Sequence, residues 1–320
     1  MSKATPAPAP ARGNPGAFHH ATLGVADLDA AVAFWAGNFG LTTQARREGP
    51  DAALGSLWGI PAGRIRRQAL VHTPGATAGA MHIVEFVDPE PPVRLGAQVY
   101  DRLPKNIDLY TRDIGRRVAG LEGAGHRLRT SPGGMPAGEH AFSEAHMEGH
   151  DGINVVLIEV AGPGYATPLS TQQFAGIGPL VTIVGDGAAE ASFYRDVLGL
   201  STTLEVVLQG PAIEQTIGLP PGAGLDVRVF GDPAEPLGRI EVIEYQRVTG
   251  ADRYPQARPP ARGILHMTYR LPDLAPVRAR LAAAGVAVTD HGHVAALFGA
   301  GEMMSFCSPA GFRIEVQSGD

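Results

Sequence analysis

At 320 residues the chain is long for a single core, so two domains are the expectation. Hydrophobic residues make up 44% and charged residues 18%, and the formal charge is -6; this describes a globular protein without the basic surface that a nucleic acid or an anionic membrane needs. The single cysteine, Cys307, excludes an intrachain disulfide framework and fits a reducing, cytoplasmic setting.

Residues 1–16 are an Ala/Pro-rich stretch without the apolar segment of a signal peptide, and they read as a flexible tail. FHHATLGVAD then alternates like a strand and ends at Asp27, a good helix N-cap. Leu28, Val32, Trp35 and Phe39 share one face of the helix that follows, and Gly40 stops it. LTTQARRE, RQALVHTP and MHIVEFVD are three further strand candidates, with LWGIPAG in a loop between the first two. The order is β-α-β-β-β. It repeats after a Pro-rich connection: NIDLYTR as strand, DIGRRVAGLEGAG as helix, then HRLRT, AFSEAHME and INVVLIEV as strands. No apolar run approaches the length of a membrane span.

Residues 161–178 are rich in turn formers and read as a linker between a first domain over 17–160 and a second over 179–320. The second half replays the first. Asp27 matches Asp186, Phe34 matches Phe193, Gly40 matches Gly199, Pro61 matches Pro220 and Glu85 matches Glu244, each pair 159 positions apart. The matched residues are caps, turn formers and helix anchors, which argues for an internal duplication. The fold class expected is α+β, with four βαβββ modules paired into two domains.

His266 and Glu315 lie inside apolar, strand-like runs, where an unpaired imidazole or carboxylate is costly to bury. A metal ion shared by neighbouring strands would remove that cost. The modules, with their first strand shaped "x-x-L-x-V-x-D-L", resemble the vicinal oxygen chelate superfamily of glyoxalase I, extradiol dioxygenases and bleomycin- and fosfomycin-resistance proteins. The resemblance covers residues 18–317, and implies two glyoxalase-like domains.

In that family, metal ligands come from the start of a module's first strand and from its last strand. The resemblance therefore points to His20 and Glu85 in module one, Asn106 and Val156 in module two, Pro179 and Glu244 in module three, and His266 and Glu315 in module four. Only modules one and four are complete. If they meet across the halves, one site receives His20, Glu85, His266 and Glu315 and the other cannot hold a metal well. If each half builds its own site, the first half offers His20 and Glu85 and the second Glu244, His266 and Glu315, which leaves His20 an orphan. The first assembly is the simpler.

Two histidines and two carboxylates suit one divalent ion: Ni, Co, Zn or Fe(II). Similarity to glyoxalase I implies an isomerase or lyase that binds a small substrate through vicinal oxygens and forms a metal-bound enediolate, with Glu85 or Glu315 moving the proton. The rival is a non-haem Fe(II) dioxygenase that opens a catechol or hydroquinone ring, using His20, His266 and Glu315. Such members carry an acid/base tyrosine ten residues before the ligand Glu, where this chain has Ser305. A third class is a metal-free binding or resistance protein. The partner expected is a small molecule, with no nucleic acid and no membrane, and the chain is a monomer or homodimer.

Other residues read as structural. His72, His82, His140, His146 and His150 lie at strand flanks and turns; His82 should face away from Glu85, and His19 away from His20, by strand alternation. Cys307 reads as a small buried thiol, and Trp58 either covers the pocket mouth or packs. Arg64, Arg66 and Arg67 read as a solvated loop.

Overall fold

The computed structural model describes residues 14–130, 132–137, 140–160 and 167–319. Module one runs β1 (His20–Val25), α1 (Leu28–Phe39), β2 (Thr42–Glu48), α2 (Ala52–Trp58), β3 (Ile65–His72) and β4 (Ala80–Phe86). Module two runs β5 (Pro104–Thr111), α3 (Ile114–Gly123), β6 (Gly133–Ala137), β7 (His140–Glu148) and β8 (Asn154–Val160). Module three is β9 (Phe174–Val184), α4 (Gly187–Ser192), β10 (Ser201–Gln209), α5 (Pro211–Ile217), β11 (Gly224–Gly231) and β12 (Arg239–Gln246). Module four is β13 (Gly263–Leu271), α6 (Ala275–Ala283), β14 (Thr289–Ala296), β15 (Gly299–Cys307) and β16 (Arg313–Ser318).

The helix ends follow from the residues at them. The Asp27 and Asp186 carboxylates accept from the amides of Ala30 and Ala189, three residues on, and Gly40 closes α1 in the left-handed conformation at φ 66°. The stretch around LWGIPAG, expected as a loop, opens on helix α2. Asp51 caps it through Leu54 N (3.0 Å), and Gly59 ends it at φ 66°. Residues 126–130, expected as a strand, form only an isolated bridge from Leu128 to Met147, and the edge strand is β6 instead.

The modules pair into two eight-stranded sheets, in the α+β architecture expected. One has the order β14-β15-β16-β13-β1-β4-β3-β2, the other β10-β11-β12-β9-β5-β8-β7-β6. Each sheet therefore takes one module from each half of the chain: one with four, and two with three. The boundaries 17–160 and 179–320 divide the duplication but not the sheets. Of the expected linker, 161–166 lie outside the described residues, and β9 already begins at Phe174.

The largest core cluster holds the helices and one face of each sheet, with Trp35, Tyr194, Phe230 and Tyr269 fully or almost fully buried. The backbones of the two sheets meet at Gly79, whose carbonyl accepts from Ile177 N (3.1 Å). A Cβ on Gly79 would stand 2.4 Å from Ile177 O, and its φ is +68°, so glycine is required twice over. The opposite face of each sheet is concave and carries its own cluster, closed by α2 over the first sheet and by α5 over the second.

Candidate metal centre

β1 and β13 are antiparallel neighbours in the middle of the first sheet, with His20 opposite Thr268 and Thr22 opposite His266. Alternation puts all four side chains on the concave face. The flanking strands continue the symmetry: Thr22 is opposite His82 on β4, and Thr268 is opposite Glu315 on β16. His20, His82, His266 and Glu315 are each fully buried. Thus the structure brings together three of the four expected ligands, His20, His266 and Glu315, and puts His82 in the fourth place.

Glu85 is not there. It lies three residues beyond His82, so it emerges on the helix face of the sheet, where its Oε2 accepts from Leu28 N at the start of α1 (2.9 Å) and pairs with Arg67. Glu244 does the same for Gly187 N at α4 (2.9 Å), and Glu159 for Asp113 N and Ile114 N at α3 (2.6 and 3.2 Å). A carboxylate is favoured at a helix N-terminus, whose free amides carry partial positive charge. The 159-residue match between Glu85 and Glu244 therefore marks a helix cap. The ligand positions lie three residues earlier, at His82 and Glu241.

The environment of the four side chains is specific. Ring centroids of His20 and His82 are 5.5 Å apart, Phe298 lies 4.3 Å from His20, and Trp58 lies 5.5 Å from His266. His266 Nε2 is 3.5 Å from Glu315 Oε2. Glu315 Oε1 accepts from Trp58 Nε1 (3.1 Å) and Arg313 Nε (3.0 Å). Asp51 Oδ2 accepts from Gln68 Nε2 (2.8 Å), which turns Gln68 Oε1 toward His82 Nε2 (2.9 Å). A carbonyl oxygen only accepts, so His82 carries its proton on Nε2 and presents the Nδ1 lone pair. His19 and His20 are joined Nδ1 to Nδ1 (2.8 Å), so His19 does not face away from His20.

Burial keeps these imidazoles neutral. It pushes His20 and His266 well below the ordinary range, aided by neighbouring histidines and by Arg313 respectively, and His82 to about 3. His19 is lowered to about 4 by burial and by Arg270. Burial raises the Glu315 carboxyl, against the opposing pull of Arg313. Neutral imidazole is the metal-binding form.

Whether these residues fit a metal is decided by their unused atoms. His20 Nε2, His82 Nδ1, both ring nitrogens of His266, and Glu315 Oε2 are buried without a hydrogen-bond partner, as are the hydroxyls of Thr22 and Thr268. Each such atom costs about 1–3 kcal/mol unless something satisfies it, and nitrogens and a carboxylate oxygen sharing one face are what a divalent ion binds. As placed, no three His, Cys, Asp or Glu side chains among the described residues stand close enough to hold an ion. The donor set fits in kind, and its unpartnered atoms share one buried face.

The remaining expectations sort as follows. Trp58, partly buried at the end of α2, lies over the site and donates to Glu315. Ser305, at the tyrosine position, is paired in register with Glu315 and lies 2.8 Å from His291 Nε2, which reaches toward the surface. Cys307 is exposed, contrary to the buried thiol expected. Arg66 and Arg67 pair with Glu85, and Arg64 donates to the Asp88 carbonyl (2.6 Å). The corresponding places in the second sheet hold Asn106, Val156, Pro179 and Glu241, and Asn106 is tied to Asn154 (2.8 Å).

A sequence profile described as Glyoxalase/Bleomycin resistance protein/Dioxygenase superfamily matches residues 176–316. No curated protein matches the chain in sequence. In fold it is similar to glyoxalase I from Zea mays, at TM-score 0.65 and 14% identity over 95% of this chain and 93% of that one. It is also similar to a putative dioxygenase from Bacillus subtilis, at TM-score 0.61 and 12% identity over 96% and 86%. Residues 176–316 thus match the sequence profile of that superfamily, and the whole chain shares the fold of glyoxalase I.

Proposed function

We propose that the chain is a divalent-metal-dependent enzyme acting on a small substrate with adjacent oxygens, at a site formed by His20, His82, His266 and Glu315. The observation that supports it is the set of unpartnered donor atoms on one buried face, contributed by both halves of the chain. A divalent ion bound there would polarise a substrate carbonyl as a Lewis acid.

The chain's own residues then divide the work. The three imidazoles, held neutral by burial, are the ligands. Glu315 is the one carboxylate in the set; Trp58 and Arg313 hold its Oε1 and leave Oε2 to accept a proton from the carbon beside the carbonyl. Trp58 and Phe298 keep water from the reacting atoms. The reaction class is isomerisation or lysis through an enediolate-like intermediate.

One observation favours the dioxygenase as a second reading. With Glu85 on the other face, His20, His266 and Glu315 are a two-histidine, one-carboxylate set, which ring-cleaving iron enzymes also use. Against it, Ser305 and not a tyrosine stands beside Glu315. The two separate in one experiment. In heavy water, proton NMR on a panel of α-hydroxyketones and thiohemiacetals should show enzyme-dependent exchange of the carbon-bound proton, lowered at least about 100-fold in Glu315→Gln. Oxygen uptake with catechols or hydroquinones, without such exchange, would establish the dioxygenase instead.

A further inference from the structure

The concave face of the second sheet cannot offer the four donors of the first, yet it encloses a cavity of about 130 Å³. At the place of Trp58, 159 positions on, stands Ile217, a smaller side chain that leaves the interior open. The wall is mostly aliphatic, with Val156, Val206, Leu225, Val227 and Ile243 among its members.

Beside Tyr110 and Tyr245, six acidic or basic side chains line this interior: Lys105, Asp108, Glu144, His146, Arg239 and Glu241. Most are engaged. Lys105 Nζ bonds to Tyr245 Oη (2.6 Å) and lies 5.0 Å above that ring. His146 Nδ1 accepts from Arg129 Nη2 (3.1 Å), so its Nε2 donates to Glu144 Oε1 (2.9 Å). The Arg239 guanidinium donates to the carbonyls of Asp232, Pro233 and Glu235. Glu241 has no such side-chain bond among the described residues, and neither has Asp108. Asp108 is 4% exposed, it lines the cavity, and its Oδ1 has no hydrogen-bond partner.

We propose that this cavity is a metal-independent binding site for a small, largely apolar amine, whose ammonium group pairs with Asp108 and its neighbour Glu241. The volume is close to that of an engineered cavity of about 150 Å³ that takes benzene. Aliphatic walls would take the hydrocarbon part, and a buried carboxylate without a partner is costly until it is protonated or paired with a cation. Without a ligand, burial and the Glu241 charge push the Asp108 carboxyl well up, and burial and Glu144 push Glu241 to about 8, against the pull of Lys105 on both; burial lowers Lys105 itself to about 7, so the two acids hold protons. An ammonium group takes their place, and its binding releases protons.

The test is calorimetry on the whole protein at pH 7.5 with benzylamine, its neutral counterpart benzyl alcohol, and benzoate. Benzylamine should bind at least tenfold more tightly than either, with a heat that depends on the buffer's ionisation enthalpy because protons leave. Asp108→Asn should abolish the preference, and Val227→Trp, which fills the cavity, should abolish binding of all three. A chelator and His20→Ala should change none of this, which keeps the result separate from the metal site. Equal or tighter binding of the alcohol or benzoate would overturn the proposal. So would a preference that survives in folded Asp108→Asn, or no binding of any of the three.

Discussion

His82 and Glu85 show how much turns on three positions in a strand. Side chains three residues apart leave opposite faces of a sheet, so only one of them can stand beside His20, and the pairing of β1 with β4 makes it His82. Its ring is then aimed by Gln68, which Asp51 in turn orients. Outer partners of this kind set the tautomer of a ligand histidine and typically account for 10–100-fold in metal affinity. Gln68→Leu should therefore weaken metal binding by about that factor while leaving the melting temperature nearly unchanged, as read by metal titration beside a thermal scan. An unchanged affinity would mean that His82 is not a ligand.

The reversed faces were hard to see from residue types alone. The 159-residue match of Glu85 with Glu244 is real. It belongs to a helix cap that modules one, two and three share. The sequence signal that could have separated the roles is position: each of those glutamates lies three residues beyond the residue in register with the site.

At the scale of elements, caps and buried acids are where stability should respond. Glu85→Gln removes the charge from the start of α1 and leaves Arg67 without its closest partner. A loss of about 1–3 kcal/mol in denaturant unfolding is expected, with metal content retained; loss of the metal would return Glu85 to the site. Glu190, on α4, accepts from Ser308 Oγ (2.9 Å) and Ala310 N and so ties module three to module four. Burial raises its carboxyl to about 7 from an ordinary 4.5. A raised acid favours the folded state below its unfolded value, and that stability is lost as pH climbs through the folded value. Stability should thus fall between pH 4.5 and 7, by up to roughly 3 kcal/mol from this group, and Glu190→Gln should flatten that part of the profile. An equal slope in the mutant would assign it elsewhere. Helix α2 was legible in principle: Asp51 and Gly59 bracket it as Asp27 and Gly40 bracket α1. Its short apolar run and the glycine within it hid the helix.

For the whole molecule, the repeat of caps and turns made the four modules readable, because those residues answer to local geometry. The pairing of modules one and four was readable only by elimination, since strand neighbours as far apart in sequence as His20 and Thr268 leave no local trace. β1 lies against β13 and β5 against β9, so each sheet joins the two halves. The consequence is a first sheet with the polar cluster and a second with an aliphatic interior, built from modules of the same order. No helix among the described residues is long and apolar enough to cross a membrane.

The central claim is that one metal ion is held jointly by both halves of the chain. Elemental analysis of protein purified without added metal or chelator, repeated on His20→Ala, His82→Ala and His266→Ala, tests it most directly. About one equivalent of a divalent metal in the native protein, and a marked loss in each of the three mutants, is the result this account predicts. A metal that survives both His20→Ala and His82→Ala, or none in the native protein even after reconstitution, would contradict it.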